Sequence, residues 1–498
     1  MEIQFDRISV PYLKKLADSV RTQEETLEVR LPEGMPDIGR VLGAWGQILV
    51  RGKEWSSSNM SVSCGVMAWV LYTPEEGTGV YSVQAWLPCS MKWDLPETRY
   101  DGKIVSSCML KSVDARSISS RKLILRATLC ADAQGLQTEQ AQAALPGDVP
   151  EDVRLLMVEY PVMLPKETGE KAFVIDEQIT LSDTPLPEKL LYYTLQPEIT
   201  DKKVMAGKVV FRGNARLHLL YRDSDERLYT WDYELPFSQY ADLDEEYSQD
   251  AVVDVIPGVT ALELSVTEDG QLQIKAGILS QYLLSDRSMV AVAEDAYSTV
   301  RKIEPLREEL KLPAILDRLS NEMQVETTAQ AEVRQVVDVT ASPGCSYCSQ
   351  ETFGTEISLP GQFQMLYYDM AGDLRSMTVS WEESWNIPGA GENTATARMA
   401  VVAAPQAIPN AGCVTLRTTV CAEAVVGAGQ GIAMLTGMQM SEAEKPDPNR
   451  PSLILCRKGN RRLWDVAKQT GSTVEAILMA NDLECEPDDN RVLLIPVK

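Results

Sequence analysis

"ARLHLLYRDSDERLYTWDYELPFSQYADL", residues 215–243, opens with an apolar strand ending in Leu220 and Tyr221, crosses a short polar turn and returns as an alternating strand rich in aromatic residues. Period-two alternation sends successive side chains to opposite faces, so the stretch reads as a β-hairpin with one face buried. The same pattern stands at residues 67–95, "MAWVLYTPEEGTGVYSVQAWLPCSMKWDL", and at 361–389, "GQFQMLYYDMAGDLRSMTVSWEESWNIPG". Aligned on Tyr72, Tyr221 and Tyr367, the copies lie 221 − 72 = 149 and 367 − 221 = 146 residues apart. Each has its polar turn (Thr73 to Thr78, Arg222 to Glu226, Asp369 to Asp373), and each is followed by a further alternating strand, from Lys122, Gln271 and Cys413.

A period this long is that of an independent domain and exceeds any solenoid repeat. The expectation is a mainly β chain of three tandem β-sandwich-like repeat domains, residues 1–150, 151–300 and 301–440. Two stretches break the β pattern: "PYLKKLADSV" at Pro11 to Val20 and "LPAILDRLSNEM" at Leu312 to Met323. Their apolar spacing predicts short amphipathic helices covering the sheets.

After the third repeat, Ser441 to Ser452 has three prolines among charged and small residues, the composition of an extended linker. A separate module, 453–498, is expected beyond it. "LILCR" reads as a strand from Leu453, and "LWDVAKQ" as a helix burying Leu463, Val466 and Ala467. Ser472 to Glu475 fits a capping box at the start of a second helix, whose stripe is Val474, Ile477 and Leu478 and whose end is Asn481. "RVLLIPV" closes a β-α-α-β order.

This module resembles a LysM domain through Gly459, Leu463, Trp464, Ala467, Gly471, Thr473, Leu478, Ala480, Asn481, Leu483, Ile495 and Pro496. The resemblance implies a LysM core containing Leu463, Trp464, Ile477, Leu478 and Asn481. It departs from the family at the strand-to-helix turn, where "GNRRLW" is one residue longer than the usual Gly-Asp-Thr/Ser-Leu-Trp. In glycan-binding members that turn forms part of the groove for N-acetylglucosamine chains. Asn460, Arg461 and Arg462, replacing small acidic and hydroxyl residues, point instead to a protein partner, since arginine suits carboxylate pairing and interface hot spots.

Tandem β-domains with entries such as "GKVVFRGNARLHLLY", followed by one LysM module, resemble the SipL and SpoVID group of spore-coat morphogenetic proteins, whose repeat is the SPOCS domain, a domain of unknown function in many spore formers. That resemblance implies a non-enzymatic scaffold in the mother-cell cytoplasm that attaches coat proteins to the forespore surface. It also implies other coat morphogenetic proteins as partners, in particular a coat-basement ATPase that the LysM module binds. The alternatives are a cell-wall protein whose LysM keeps its peptidoglycan ligand, and a hydrolase with its catalytic residues inside a β-domain.

Composition bears on all three. The net charge of −25 repels phosphate backbones and anionic lipid, so nucleic acid is not an expected partner. Glu2 and Asp6 stand where an export signal needs a basic patch and an apolar core, and no apolar run approaches a bilayer span, so a soluble, unexported protein is expected. Six of the ten cysteines (Cys64, Cys89, Cys108, Cys130, Cys413 and Cys421) sit singly in strand-like runs, as reduced cytosolic thiols do. Cys345 and Cys348 form a C-x-x-C pair but lack a second such pair, and the chain has one histidine, so no metal or other cofactor is expected. His218 alternates with Leu217 and Leu219 and reads as a satisfied strand residue. The Gly-rich "VVGAGQG", Val425 to Gly431, lacks a βαβ context and reads as a plain loop, and Asp244 to Glu246 reads as a solvated acidic face. No catalytic motif is recognisable, and no enzyme is expected.

Overall fold

The structure is a computed structural model that describes residues 2–497 apart from 97, 99–100, 182–183, 352–353, 389–393, 444–450 and 488–490. The expected linker, 441–452, therefore lies largely outside the described residues. The chain is mainly β, and its strands fall into three sets. The first holds β1 (Glu2–Gln4), β2 (Asp6–Arg30), β3 (Ile38–Trp55), β4 (Asn59–Pro74), β5 (Tyr81–Asp94), β6 (Lys103–Ser119) and β7 (Lys122–Leu145). The second holds β8 (Val153–Ile179), β9 (Lys189–Met205), β10 (Lys208–Arg222), β11 (Leu228–Asp242), β12 (Val252–Val266) and β13 (Leu272–Ser298). The third holds β14 (Ile303–Gln330), β15 (Val333–Pro343), β16 (Tyr347–Glu351), β17 (Gly354–Asp369), β18 (Leu374–Pro388), β19 (Thr394–Val401), β20 (Gln406–Asn410) and β21 (Cys413–Met440). The remainder is β22 (Leu453–Arg457), α1 (Leu463–Thr470), α2 (Val474–Ala480) and β23 (Val492–Pro496).

Pairing repeats from set to set. The hairpins build the sheets β3-β4-β5, β9-β10-β11 and β15-β17-β18, with β16 also on β17; the flanking strands build β2-β7-β6, β8-β13-β12 and β14-β21, the last joined by β19 and β20. In the first set the apolar faces meet: Val62, Val66 and Val70 of β4 share a core with Leu123, Leu125 and Leu129 of β7, all fully buried. Tyr72, Tyr221 and Tyr367 lie near the ends of the middle strands β4, β10 and β17. Tyr72 Oη donates to the Pro36 carbonyl and Tyr221 Oη to that of Pro185, each at 3.0 Å.

A second signature recurs on the same strands. Gly65, Gly213 and Gly361 each lie under an aromatic ring from the neighbouring strand (Trp86, Phe237 and Trp381), and a methyl group at any of the three would overlap that ring. The missing side chain is what lets the ring lie flat on the sheet.

The two expected helices are strands. Pro11 to Val20 lies inside β2 and Leu312 to Met323 inside β14. Both contain a β-bulge, an extra residue that reverses the in-out alternation. The ladder skips Leu16 in β2 and Leu316 in β14, and it skips Lys166 in β8. The bulges fall 166 − 16 = 150 and 316 − 166 = 150 residues apart. Across the bulge in β14 the inward-facing set changes parity, from Leu310, Leu312 and Ala314 before it to Leu319, Met323 and Val325 after it, so a sequence window spanning it loses the period-two alternation and reads as helical. The Gly-rich Val425 to Gly431, expected as a loop, lies inside β21.

Beyond each bulge the long strands leave their own sheets as two-stranded ribbons. Phe5, Ala144, Leu164, Val292, Leu312 and Met434 draw on all three sets and form one buried core. β1 pairs with β21, Glu2 opposite Gln439, and so attaches the chain's start to the third set. Among the described residues no helix is long and apolar enough to cross a membrane.

Candidate functional site

The residues after Ser452 fold as strand, helix, helix and strand, with β22 antiparallel to β23. Leu463, Val466, Ala467, Ile477, Leu493 and Ile495 are fully buried between the helices and the sheet. Asn481 ends α2 by donating Nδ2 to the carbonyls of Ile477 and Leu494, both at 2.7 Å, while its Oδ1 accepts from Leu494 N at 2.8 Å. Leu478 packs half-buried against this core. The expected Ser472–Glu475 capping box does not form: the N-cap is Thr473, whose hydroxyl accepts from Ala476 N at 3.1 Å, and Ser472 Oγ donates instead to the Pro496 carbonyl.

The turn that carries Asn460, Arg461 and Arg462 is exposed. Arg461 nonetheless faces inward chemically. Its Nε donates to the Lys458 carbonyl at 3.2 Å, its Nη2 to the Arg457 carbonyl at 2.7 Å and its Nη1 to Gln469 Oε1 at 2.8 Å. It holds the turn onto α1. Among the described residues, the Arg462 side chain makes a 3.4 Å contact with Asp465. Across the turn, Glu486 accepts from Leu463 N at 3.0 Å and pairs with Lys458 Nζ at 3.2 Å, bridging the space between the turn and the segment after α2.

Trp464 is buried, but only partly by its own module. Its ring meets Tyr297 of β13 edge-on at 4.8 Å, and its Nε1 donates to Asp295 Oδ2 at 2.9 Å. Lys468 Nζ reaches the same carboxylate at 2.7 Å, and Tyr297 Oη donates to the Ser472 carbonyl at 3.0 Å. Burial of Asp295 opposes its charge, but the hydrogen bonds from Lys468 and Trp464 outweigh this and hold the carboxyl below its ordinary range. Nothing in the local pattern around Asp295 marks it as a docking residue, because its partner is 169 residues away. The opposite face of the module sheet is apolar and uncovered: Leu453, Leu455 and Val492 are 53%, 72% and 53% exposed.

A cavity of about 590 Å³ lies where the three sets meet. His218 faces it from β10, with Leu217 and Leu219 turned into the core. Its Nδ1 lies 2.8 Å from Asp232 Oδ1 and its Nε2 3.2 Å from Asp338 Oδ1 of the third set. Tyr192 Oη donates to Asp338 Oδ2. Burial pushes the Asp338 carboxyl up to about 7. A neutral imidazole has one N–H. If Nδ1 donates it to Asp232, Nε2 accepts the proton that burial keeps on Asp338, and every donor in the chain Tyr192–Asp338–His218–Asp232 is used. The cluster is a polar seam between the second and third sets. Asp244, Glu245 and Glu246 are exposed on the surface. Among the described residues no group of three or more His, Cys, Asp or Glu side chains is placed to hold a metal ion.

Residues 187–267 match the family model described as SipL, SPOCS domain. The match covers β9 to β12, the hairpin sheet of the second set and its neighbouring strand. It supports a SipL-like, sporulation-related chain. No curated protein and no solved structure matches.

Proposed function

We propose that the chain is a non-enzymatic scaffold of spore-coat assembly, acting in the mother-cell cytoplasm and at the forespore surface. In this reading residues 453–498 form a LysM fold turned to protein binding, and the three β sets are SPOCS-like repeats that carry it. The observation that carries the proposal is the uncovered apolar face of Leu453, Leu455 and Val492 on a module anchored through Trp464 and Tyr297. Exposed apolar patches rimmed by polar residues mark protein interaction sites. The SipL match supplies the sporulation setting, and the resemblance supplies the partner class, other coat morphogenetic proteins and in particular a coat-basement ATPase.

Retained peptidoglycan binding is the competing reading. Glu486 argues against it, because a sugar chain entering between the turn and the segment after α2 has to break the contacts to Leu463 N and Lys458. A fluorescent fusion tests the proposal directly. Signal encasing the developing spore, lost in Leu453→Glu with Leu455→Glu, is the expected result. Diffuse signal in sporulating cells, or tight retention of the wild-type protein on insoluble peptidoglycan, refutes it.

A further inference from the structure

We propose that the cavity where the three strand sets meet binds a small organic anion, a single carboxylate carried on an apolar body. The repeat itself builds the cavity. Each set gives it the same two strands, the first strand of the hairpin sheet (β3, β9 and β15) and the outer strand of the flanking sheet (β6, β12 and β19). Trp45 to Ile48 of β3 and Thr194 to Pro197 of β9 both line it and stand 194 − 45 = 149 residues apart, the spacing of the repeated hairpins. Its volume of about 590 Å³ falls in the range of small-molecule sites, roughly 300–1,000 Å³.

The unmatched polar groups on its wall are mainly donors. Trp45 and Ser106 are 3% and 2% exposed, and among the described residues Trp45 Nε1 and Ser106 Oγ are buried without a hydrogen-bond partner. Both residues are fixed in place: the Trp45 ring stacks on Tyr192 at 5.1 Å, and the Gln281 amide holds Ser106 at its backbone N–H and its carbonyl. Buried polar atoms are ordinarily paired, so an orphaned pair on one cavity wall calls for a partner. Two guanidinium groups border the same space. Arg398 Nε is also buried and unpaired, and its Nη2 stands 3.8 Å from Asp132; Arg216 donates Nη2 to the Val402 carbonyl at 3.3 Å and stands 3.9 Å from Glu198. Those two carboxylates lie beyond hydrogen-bond reach, which leaves guanidinium donors open to a ligand.

An indole N–H and a guanidinium only donate, so the ligand group they select is rich in acceptors, and arginine meets a carboxylate in a two-point geometry. A doubly charged anion such as phosphate suits the wall less well, because the wall is already acidic. Asp254 and Glu423 stand 3.9 and 3.4 Å from Lys202, Asp232 and Asp338 flank His218, and Glu198 adds a further carboxylate. A single negative charge placed at the arginines keeps that repulsion smallest. Ile48, Val113, Ile256, Val259 and Val339 supply apolar wall for the body of the ligand. This binding site lies outside the carboxy-terminal module and goes beyond the scaffold reading.

The test illuminates the full-length protein with the photoreactive probe 4-azidophenylacetate and maps the adducts by digestion and mass spectrometry. Adducts are expected on peptides of β6, β9, β12, β15 and β19, suppressed by excess phenylacetate and not by phenylacetamide, which has the same shape without the charge. Arg398→Ala is expected to lower the yield about ten-fold, the loss of one charge-assisted hydrogen bond, while Arg116→Ala, whose side chain is 88% exposed on β6, leaves it unchanged. Adducts scattered over the outer surface, equal suppression by the amide, or no adduct at millimolar probe overturns the proposal, as does an Arg398→Ala protein that melts like wild type and labels like it. The acid-against-amide comparison and the adduct map need only the wild-type protein, so a poorly folding variant does not obscure the result. The outcome is independent of the scaffold reading.

Discussion

Replacing Asp295 with alanine tests how the carboxy-terminal module is held. The carboxylate accepts from Trp464 Nε1, from Lys468 Nζ and, at 3.0 Å, from Arg307 Nη2. These contacts are unequal. Arg307 lies on β14, outside the module, so its pair with Asp295 does not hold the module; Lys468 is 42% exposed, and its ion pair contributes about 0–1 kcal/mol. Trp464 is 8% exposed, and leaving its indole N–H without an acceptor costs about 1–3 kcal/mol. The sum is roughly 1–4 kcal/mol, or from about 5-fold to about 1000-fold in the population of undocked module. What then holds the module is the Tyr297–Trp464 edge contact, about 0.5–1.5 kcal/mol, and the Tyr297–Ser472 hydrogen bond, about 1 kcal/mol. Release of the 453–498 fragment by a broad-specificity protease reads this population when opening is fast relative to cleavage. Asp295→Ala is expected to speed release steeply while the body's melting temperature changes little, Lys468→Ala to do so only slightly, and Asp295→Asn, which keeps an acceptor for the indole, to fall between. A release rate within about three-fold of wild type for Asp295→Ala refutes the docking energetics.

Asp338 makes stability fall as pH rises. Its carboxyl titrates near 3.8 when unfolded and about 7 when folded, so its contribution is complete below pH 3.8 and disappears as pH rises to about 7, a change of about 4 kcal/mol; denaturation of wild type against Asp338→Asn at several pH values checks this, and a constant difference between pH 5 and 7 refutes it. Gly361→Ala pushes a methyl group into the Trp381 ring and is expected to cost about 1–3 kcal/mol, read as a lower midpoint in urea. Arg461→Ala removes the hydrogen bonds that hold the turn on α1 and is expected to destabilise the module by about 1–2 kcal/mol. Arg462→Ala, whose one ion pair is exposed, should change stability by less than about 0.5 kcal/mol. Hydrogen exchange of α1 in the full chain separates the two arginines, and equal protection losses contradict this assignment.

The parts legible in the sequence are those whose signal is local. Alternation into Leu-Tyr at 71–72, 220–221 and 366–367 is a property of a single strand, and so is the apolar stripe that buries Leu463, Val466 and Ala467. A bulge breaks this locality. In β14 the extra residue Leu316 moves the buried set from one parity to the other, and a window centred there cannot distinguish a phase-shifted strand from an amphipathic helix. Only the constant spacing of 16, 166 and 316 identifies the stretch as strand, and that spacing becomes visible once the partners in β7, β13 and β21 are known. The same limit hides the function-bearing contacts. Arg461 looks like a free turn arginine until its acceptors at Arg457, Lys458 and Gln469 are in view.

The Arg461 geometry changes where a partner of the module should be sought. A guanidinium that already donates to two backbone carbonyls and a glutamine has to give up those bonds to serve an interface, and the turn it holds would loosen as it did so. Arg462 keeps most of its donors for solvent, and Leu455, at 72%, is the most exposed of the three apolar residues on the sheet's outer face. A protein ligand therefore meets less resistance on the β22–β23 face than at the strand-to-helix turn. On this argument Leu455→Glu lowers affinity for a coat-protein partner more than Arg461→Ala does, with the module still folded, since the glutamate stays in water when the partner is absent. Titration of both variants against the same purified partner measures the difference. Equal affinity of Leu455→Glu and wild type would place the interface elsewhere.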